Sequence, residues 1–136
     1  GGGGGGGGGA PAPQLLVTDR HGTQLWELAS LARQTTTTTA AAVTITQPAA
    51  NYRHRHAYRG ALLGHHVVRA VVGGGDNRFV SSGSEDAVVR VWRRHGGDLV
   101  RVLHGHTGTV NAVAWCAQRP RVLVSAADDA TLRVWT

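Results

Sequence analysis

Residues 105–136 read GHTGTVNAVAWCAQRPRVLVSAADDATLRVWT, and their turn chemistry divides them into three short strands. Thr109 to Trp115 alternates small and apolar residues with the period of two expected of a strand. Gln118-Arg119-Pro120 ends that run, because proline fixes its own φ and pushes the preceding residue out of the helical region. Val122 to Ala126 is a second, β-branched run, and Thr131 to Trp135 is a third. Between them Asp128-Asp129-Ala130 supplies a turn, since Asp side chains accept hydrogen bonds from neighbouring backbone N–H groups.

The unit recurs. Phe79 to Trp92, FVSSGSEDAVVRVW, falls into register with it when Trp92 is set on Trp135, 43 residues later. Six residues ahead of each tryptophan stands an aspartate, Asp86 or Asp129, and four ahead of each aspartate a serine, Ser82 or Ser125. Gly64-His65 precedes Gly105-His106 by 41 residues. A repeat of about 40–45 residues, opened by Gly-His and closed by Trp, has the length of one four-stranded β-propeller blade. On these residues the chain resembles the WD-repeat family. An all-β, partial WD-repeat β-propeller is expected.

In WD-repeat blades a buried His, Ser or Thr, Asp and Trp form one hydrogen-bonded set. The resemblance implies that set at His106, Ser125, Asp129 and Trp135, and at His65, Ser82, Asp86 and Trp92 in the preceding blade. The chemistry is coherent, because a buried carboxylate is costly unless N–H and O–H donors surround it. Imidazole, hydroxyl and indole can join in such a chain. Ser, His and Asp together also suggest a hydrolase triad. A triad occurs once per active site, whereas this set recurs once per blade, which favours the structural role. The opening of the earlier blade has two readings, since Tyr58-Arg59-Gly60 also stands where a blade junction could fall. On the second reading His65 is not the histidine of the set.

A propeller needs roughly four to eight blades. Two good blades and part of a third are legible, so the expectation is the C-terminal portion of a larger ring. Residues 1–13, nine glycines and an Ala/Pro tail, form a flexible segment. That run is no phosphate loop, having neither a strand before it nor Lys-Ser/Thr after it. Residues 14–29 read as the end of a degenerate blade closing at Trp26, with Arg20 where the Asp should be. Residues 30–57 read as a Thr/Ala insertion followed by a basic loop or edge strand, in which Val43 to Ile45 could add a strand. Residues 58–103 form the first good blade, with strands over Leu62–Val72, Phe79–Gly83, Ala87–Trp92 and Leu99–Leu103. Residues 104–136 form a last blade without its outer strand, which in many propellers comes from the N-terminal end of the ring.

Within the family, SGSED, GHTGTVNAVAW and SAADDATLRVW are similar to the WD-repeat subunits of CTLH (GID) ubiquitin ligases. The helical LisH and CTLH segments of those subunits would lie upstream. The resemblance implies a non-catalytic scaffold that recruits a protein substrate or helps assemble other subunits, with no cofactor and no small-molecule substrate. A WD-repeat scaffold of another complex, in RNA processing or signalling, is the alternative. Family members commonly meet partners just before the structural Asp and beside the first strand's leading valine. Here those positions are Glu85 and Asp128, and Thr109 and Asn111 either side of Val110.

The net charge is +6 and all 14 basic residues are Arg. The arginines are scattered and stacking aromatics are few, which argues for a solvated surface rather than nucleic acid. Without Lys, this stretch offers no ordinary ubiquitin acceptor. His54 and His56 are flanked by Arg53 and Arg55, whose charge opposes a divalent ion, so no metal is expected. One cysteine, Cys116, excludes an internal disulfide framework and fits a reducing cytoplasmic or nuclear setting. No apolar run approaches a membrane span.

Overall fold

A computed structural model describes residues 14–28 and 52–136. The expected Gly-rich segment and the candidate strand at Val43 to Ile45 lie outside the described residues. Among the described residues ten strands form three antiparallel sheets. The first holds β1 (Gln14–Asp19), β2 (Gly22–Leu28) and β3 (Tyr52–Tyr58), in that order. The second holds β4 (Val71–Gly73), β5 (Phe79–Ser82), β6 (Val88–Arg93) and β7 (Leu99–His104), in that order. The third holds β8 (Val110–Trp115), β9 (Leu123–Ala127) and β10 (Leu132–Trp135), with β9 central. Each sheet pairs strands in chain order as an antiparallel meander, the construction of a propeller blade.

Two sequence boundaries shift. The Arg/His-rich stretch before Tyr58, expected as a basic loop or edge strand, is the edge strand of the first sheet and so belongs to that blade. Its polar residues suit an edge strand because cross-strand pairs hold them. The guanidinium of Arg55 meets Glu27 Oε2 at 2.6 Å, and the His54 ring sits edge-on to Trp26 at 5.3 Å. The register slips between Leu25 and Trp26, leaving Arg55 unpaired in the ladder as a bulge residue. Second, the inner strand of the middle blade covers only Val71–Gly73, not Leu62–Val72. The preceding residues form a loop whose amides are claimed by side chains of the Ser84-Glu85 turn.

The core lies between sheets. Leu25, Tyr58, Val80 and Trp92 fill the junction of the first and second blades. Val89, Val91, Val110, Val113 and Leu123 fill that of the second and third. Strand β6 therefore buries side chains on both faces, which is why VVRVW is almost continuously apolar. On β10 the same positions are largely exposed, with Leu132 at 73% and Val134 at 65%.

Backbones approach closely at the second junction. Trp115 lies over Gly73, where a Cβ would come within 2.2 Å of its ring. Its indole stacks on Phe79, with centroids 6.0 Å apart, and donates to Ser81 Oγ at 3.0 Å. The Val110 N–H donates to the carbonyl of Ser84 at 3.1 Å, binding blade to blade.

Candidate functional site

The turn between β9 and β10 and the loop before β8 meet at the edge of the last blade. There His106, Ser125, Asp129 and Trp135 come together. His106 Nδ1 lies 2.9 Å from Asp129 Oδ2, and its Nε2 lies 2.8 Å from Ser125 Oγ. Trp135 Nε1–H donates to the same Oγ at 2.9 Å. An ionised carboxylate only accepts, so Nδ1–H donates to Asp129, and the Ser125 hydroxyl is left to donate to Nε2. Asp129 also accepts from the Thr107 N–H at 3.0 Å and from the Thr131 hydroxyl at 2.7 Å. These donors, led by the Thr107 amide, hold its carboxyl well below the usual carboxylate range. Ser125 is 1% exposed and His106 7%, so the hydroxyl faces the blade interior.

The middle blade does not repeat this arrangement. Ser82 Oγ donates to the Gly83 carbonyl, and Trp92 Nε1–H to the carbonyl of Arg59 at 3.0 Å. Asp86 forms a two-pronged ion pair with Arg90, whose bonds hold the carboxyl below its ordinary value. His65 is exposed and contributes its backbone N–H alone. The expected set of His65, Ser82, Asp86 and Trp92 is therefore not assembled. A Cβ at Gly60 would touch the Arg90 side chain, as one at Gly105 would touch Arg133. Gly60 thus holds the place of Gly105, and Ala61, with no polar side chain, follows where His106 would.

Glu85 takes over the task, which corrects its expected place on an open contact surface. Its Oε1 accepts from the N–H groups of Gly64 at 2.9 Å, His65 at 2.6 Å and His66 at 2.7 Å. Beside it Ser84 Oγ accepts the Leu62 N–H at 2.7 Å. The His66 and Gly64 amides dominate, and the Glu85 carboxyl is pulled down to about 2. A carboxyl depressed in the folded state stabilises above its unfolded value, near 4.5, and that contribution fades as pH falls toward 2. Glu85→Gln is expected to lower the urea midpoint at pH 7. It should also flatten the loss of stability between about pH 4.5 and 2 relative to the parent. Parallel urea titrations across that range test this. Equal slopes would contradict it.

The other three expected contact residues sit together at the edge of the last blade. Asn111 Nδ2 donates to Asp128 Oδ1 at 2.5 Å, and the Asp128 N–H donates to the carbonyl of Thr109 at 2.9 Å. Glu85 and Ser84 were missed as loop clamps, and Gly83 as a contact point between blades. The signal was the difference between Gly83-Ser84-Glu85 and Ala126-Ala127-Asp128 at matching positions. The histidines of β3 diverge: His54 meets Trp26, while His56 accepts the Gly96 N–H at 3.5 Å and faces His95. Burial beside His95 pushes the His56 imidazole below its ordinary value. Among the described residues no group of three or more His, Cys, Asp or Glu converges on a metal position.

The WD domain, G-beta repeat model matches residues 58–93 and 97–136, more than half of the chain. The chain belongs to the WD40-repeat family. It is therefore a WD-repeat protein of the scaffold and interaction type. The first match opens at Tyr58, ahead of Gly60, in keeping with the junction the geometry indicates.

Relatives include a WD repeat-containing protein WDS homolog of Arabidopsis thaliana, 39% identical over 64% of this chain and 17% of the relative. GID complex subunit 7 of Schizosaccharomyces pombe is 43% identical over 58% of this chain and 16% of its own length. A WD repeat-containing protein 26 homolog of Arabidopsis thaliana is 41% identical over 57% and 13%. The chain thus spans less than a fifth of each of these relatives. Among solved structures, a chain of Chaetomium thermophilum Polycomb Repressive Complex 2 superposes with a TM-score of 0.65 at 23% identity, over 95% of this chain and 26% of that one. The computationally designed Ika4 protein gives 0.58 at 18%, over 90% and 59%. At such identities the likeness speaks to the fold, that of WD-repeat propellers.

Proposed function

We propose that this chain is a non-catalytic docking module in a CTLH/GID-type ubiquitin ligase, recruiting a substrate or joining subunits. Support comes from its 43% identity to GID complex subunit 7. The sealed serine supports the non-catalytic part. Ser125 Oγ is held between Trp135 and His106 and is 1% exposed, leaving a substrate no approach. The surface offered is the cluster of Thr109, Asn111 and Asp128, fixed to one another by short hydrogen bonds. A rigid polar cluster loses little freedom on binding.

Affinity-purified full-length protein is expected to carry ubiquitin-transfer activity with it. Asn111→Arg/Asp128→Arg is expected to lower co-purified partner at least roughly tenfold, with an unchanged unfolding midpoint. The 39% identity to the WDS homolog favours a second reading, a WD-repeat scaffold of another assembly. A stable complex without ubiquitin transfer would decide for it.

A further inference from the structure

The loop from Ala61 to Val67 is built unlike its counterpart in the last blade. Between Gly105 and the buried Val110 lie four small or polar residues. Between Gly60 and the buried Val68 lie seven, among them Leu62, Leu63 and Val67. Leu62 is 57% exposed and Val67 82%, although Val68, next in the chain, is 4% exposed. Lone exposed aliphatic residues are common on protein surfaces and say little. These two stand on a backbone that is fixed in place. Glu85 Oε1 binds three successive amides, Ser84 Oγ binds that of Leu62, and the Glu85 N–H donates back to the carbonyl of Leu62 at 2.9 Å.

A loop tied down by five such bonds could have turned Leu62 and Val67 toward the core, yet it presents them outward. The charge beside it is one-sided. Arg59 and Arg69 bracket the loop, are exposed and form no ion pair among the described residues. The nearby acids are already engaged, Glu85 by the loop amides and Asp86 by Arg90.

We infer that the loop 61–67, held out by Glu85 and Ser84, is a docking tip for a peptide segment pairing aliphatic or aromatic side chains with Asp or Glu. Leu62 and Val67 bury the partner's apolar groups, and Arg59 and Arg69 meet its carboxylates. Glu85 is a positioning residue here. It spares the loop the ordering cost that a flexible loop would incur on binding. The inference rests on the reading of the chain as a protein-docking module and adds a site and a partner chemistry to it.

The test pans a phage-displayed library of random peptides against the full-length protein. Enriched peptides are expected to combine Asp or Glu with Leu, Ile, Phe or Trp, and to bind less tightly as salt rises. Leu62→Ser/Val67→Ser, which alters exposed side chains and keeps the backbone bonds, is expected to weaken them at least roughly tenfold with an unchanged urea midpoint. Glu85→Ala is expected to speed amide exchange at Gly64, His65 and His66 and to weaken the same peptides. Enrichment of basic or uncharged peptides overturns the inference, as does binding unaltered by the double substitution. Binding lost in Asn111→Arg/Asp128→Arg but kept in the loop variant overturns the tip and leaves the docking function standing. Preference for a single-stranded RNA oligonucleotide over every peptide overturns both.

Discussion

Trp92→Ala is expected to destabilise the protein by about 3–5 kcal/mol, the usual cost of deleting a buried tryptophan. Trp92 is 1% exposed and shares the junction of the first two blades with Leu25, Tyr58 and Val80. Its ring lies 5.9 Å from that of Tyr58, and its N–H satisfies the Arg59 carbonyl. Alanine would leave a hole between sheets rather than within one, and a stiff pleated sheet closes such a hole poorly. Tyr58 depends on the same packing. Burial pushes its phenol up to about 12, and its hydroxyl donates to the Arg94 carbonyl at 2.6 Å. Urea denaturation of the full-length variant measures the loss, and amide exchange should rise first in β2 and β3. A change below about 1 kcal/mol would show that the first blade does not pack on the second as described.

Gly83→Ala is expected to cost about 3 kcal/mol, a large penalty for a single methyl group. A Cβ at Gly83 would stand 2.1 Å from the carbonyl oxygen of Val110 and 2.8 Å from its carbon. Both partners are backbone, so the blades must part, and the bond from the Val110 N–H to Ser84 parts with them. Gly75→Ala is the control, since a Cβ there meets nothing within 4 Å. The urea midpoint should fall for the first variant and hold for the second. The Val110 amide should exchange faster in the first alone. Equal midpoints would mean that the close approach at Gly83 contributes nothing to stability.

The strands were legible wherever each blade's own residues set them. The β5–β6 and β9–β10 hairpins follow from β-branched runs around acidic turns. Ala87 and Ala130, 43 residues apart, both take positive φ at the close of those turns, at 64° and 59°. Such a conformation is uncommon outside glycine, so its repetition shows two turns of one construction. Strand β3 was harder to read, because its Arg and His residues gain strand geometry only from Glu27 and Trp26 across the ladder. Those partners lie more than twenty residues away in the chain.

The set of His106, Ser125, Asp129 and Trp135 followed from the family resemblance, while sequence alone determined the repeat and the all-β class. Both of the latter depend on residue types at fixed short spacings, which one chain displays in full. Tertiary structure decided which glycine opens the middle blade, because the equivalence of Gly60 with Gly105 appears only in their contacts with Arg90 and Arg133. It also decided that Glu85 turns inward to three amides while Asp86 turns to Arg90. A carboxylate is drawn to whichever donors converge on it. Where those donors are backbone N–H groups some twenty residues away, residue identity does not say which amides they are.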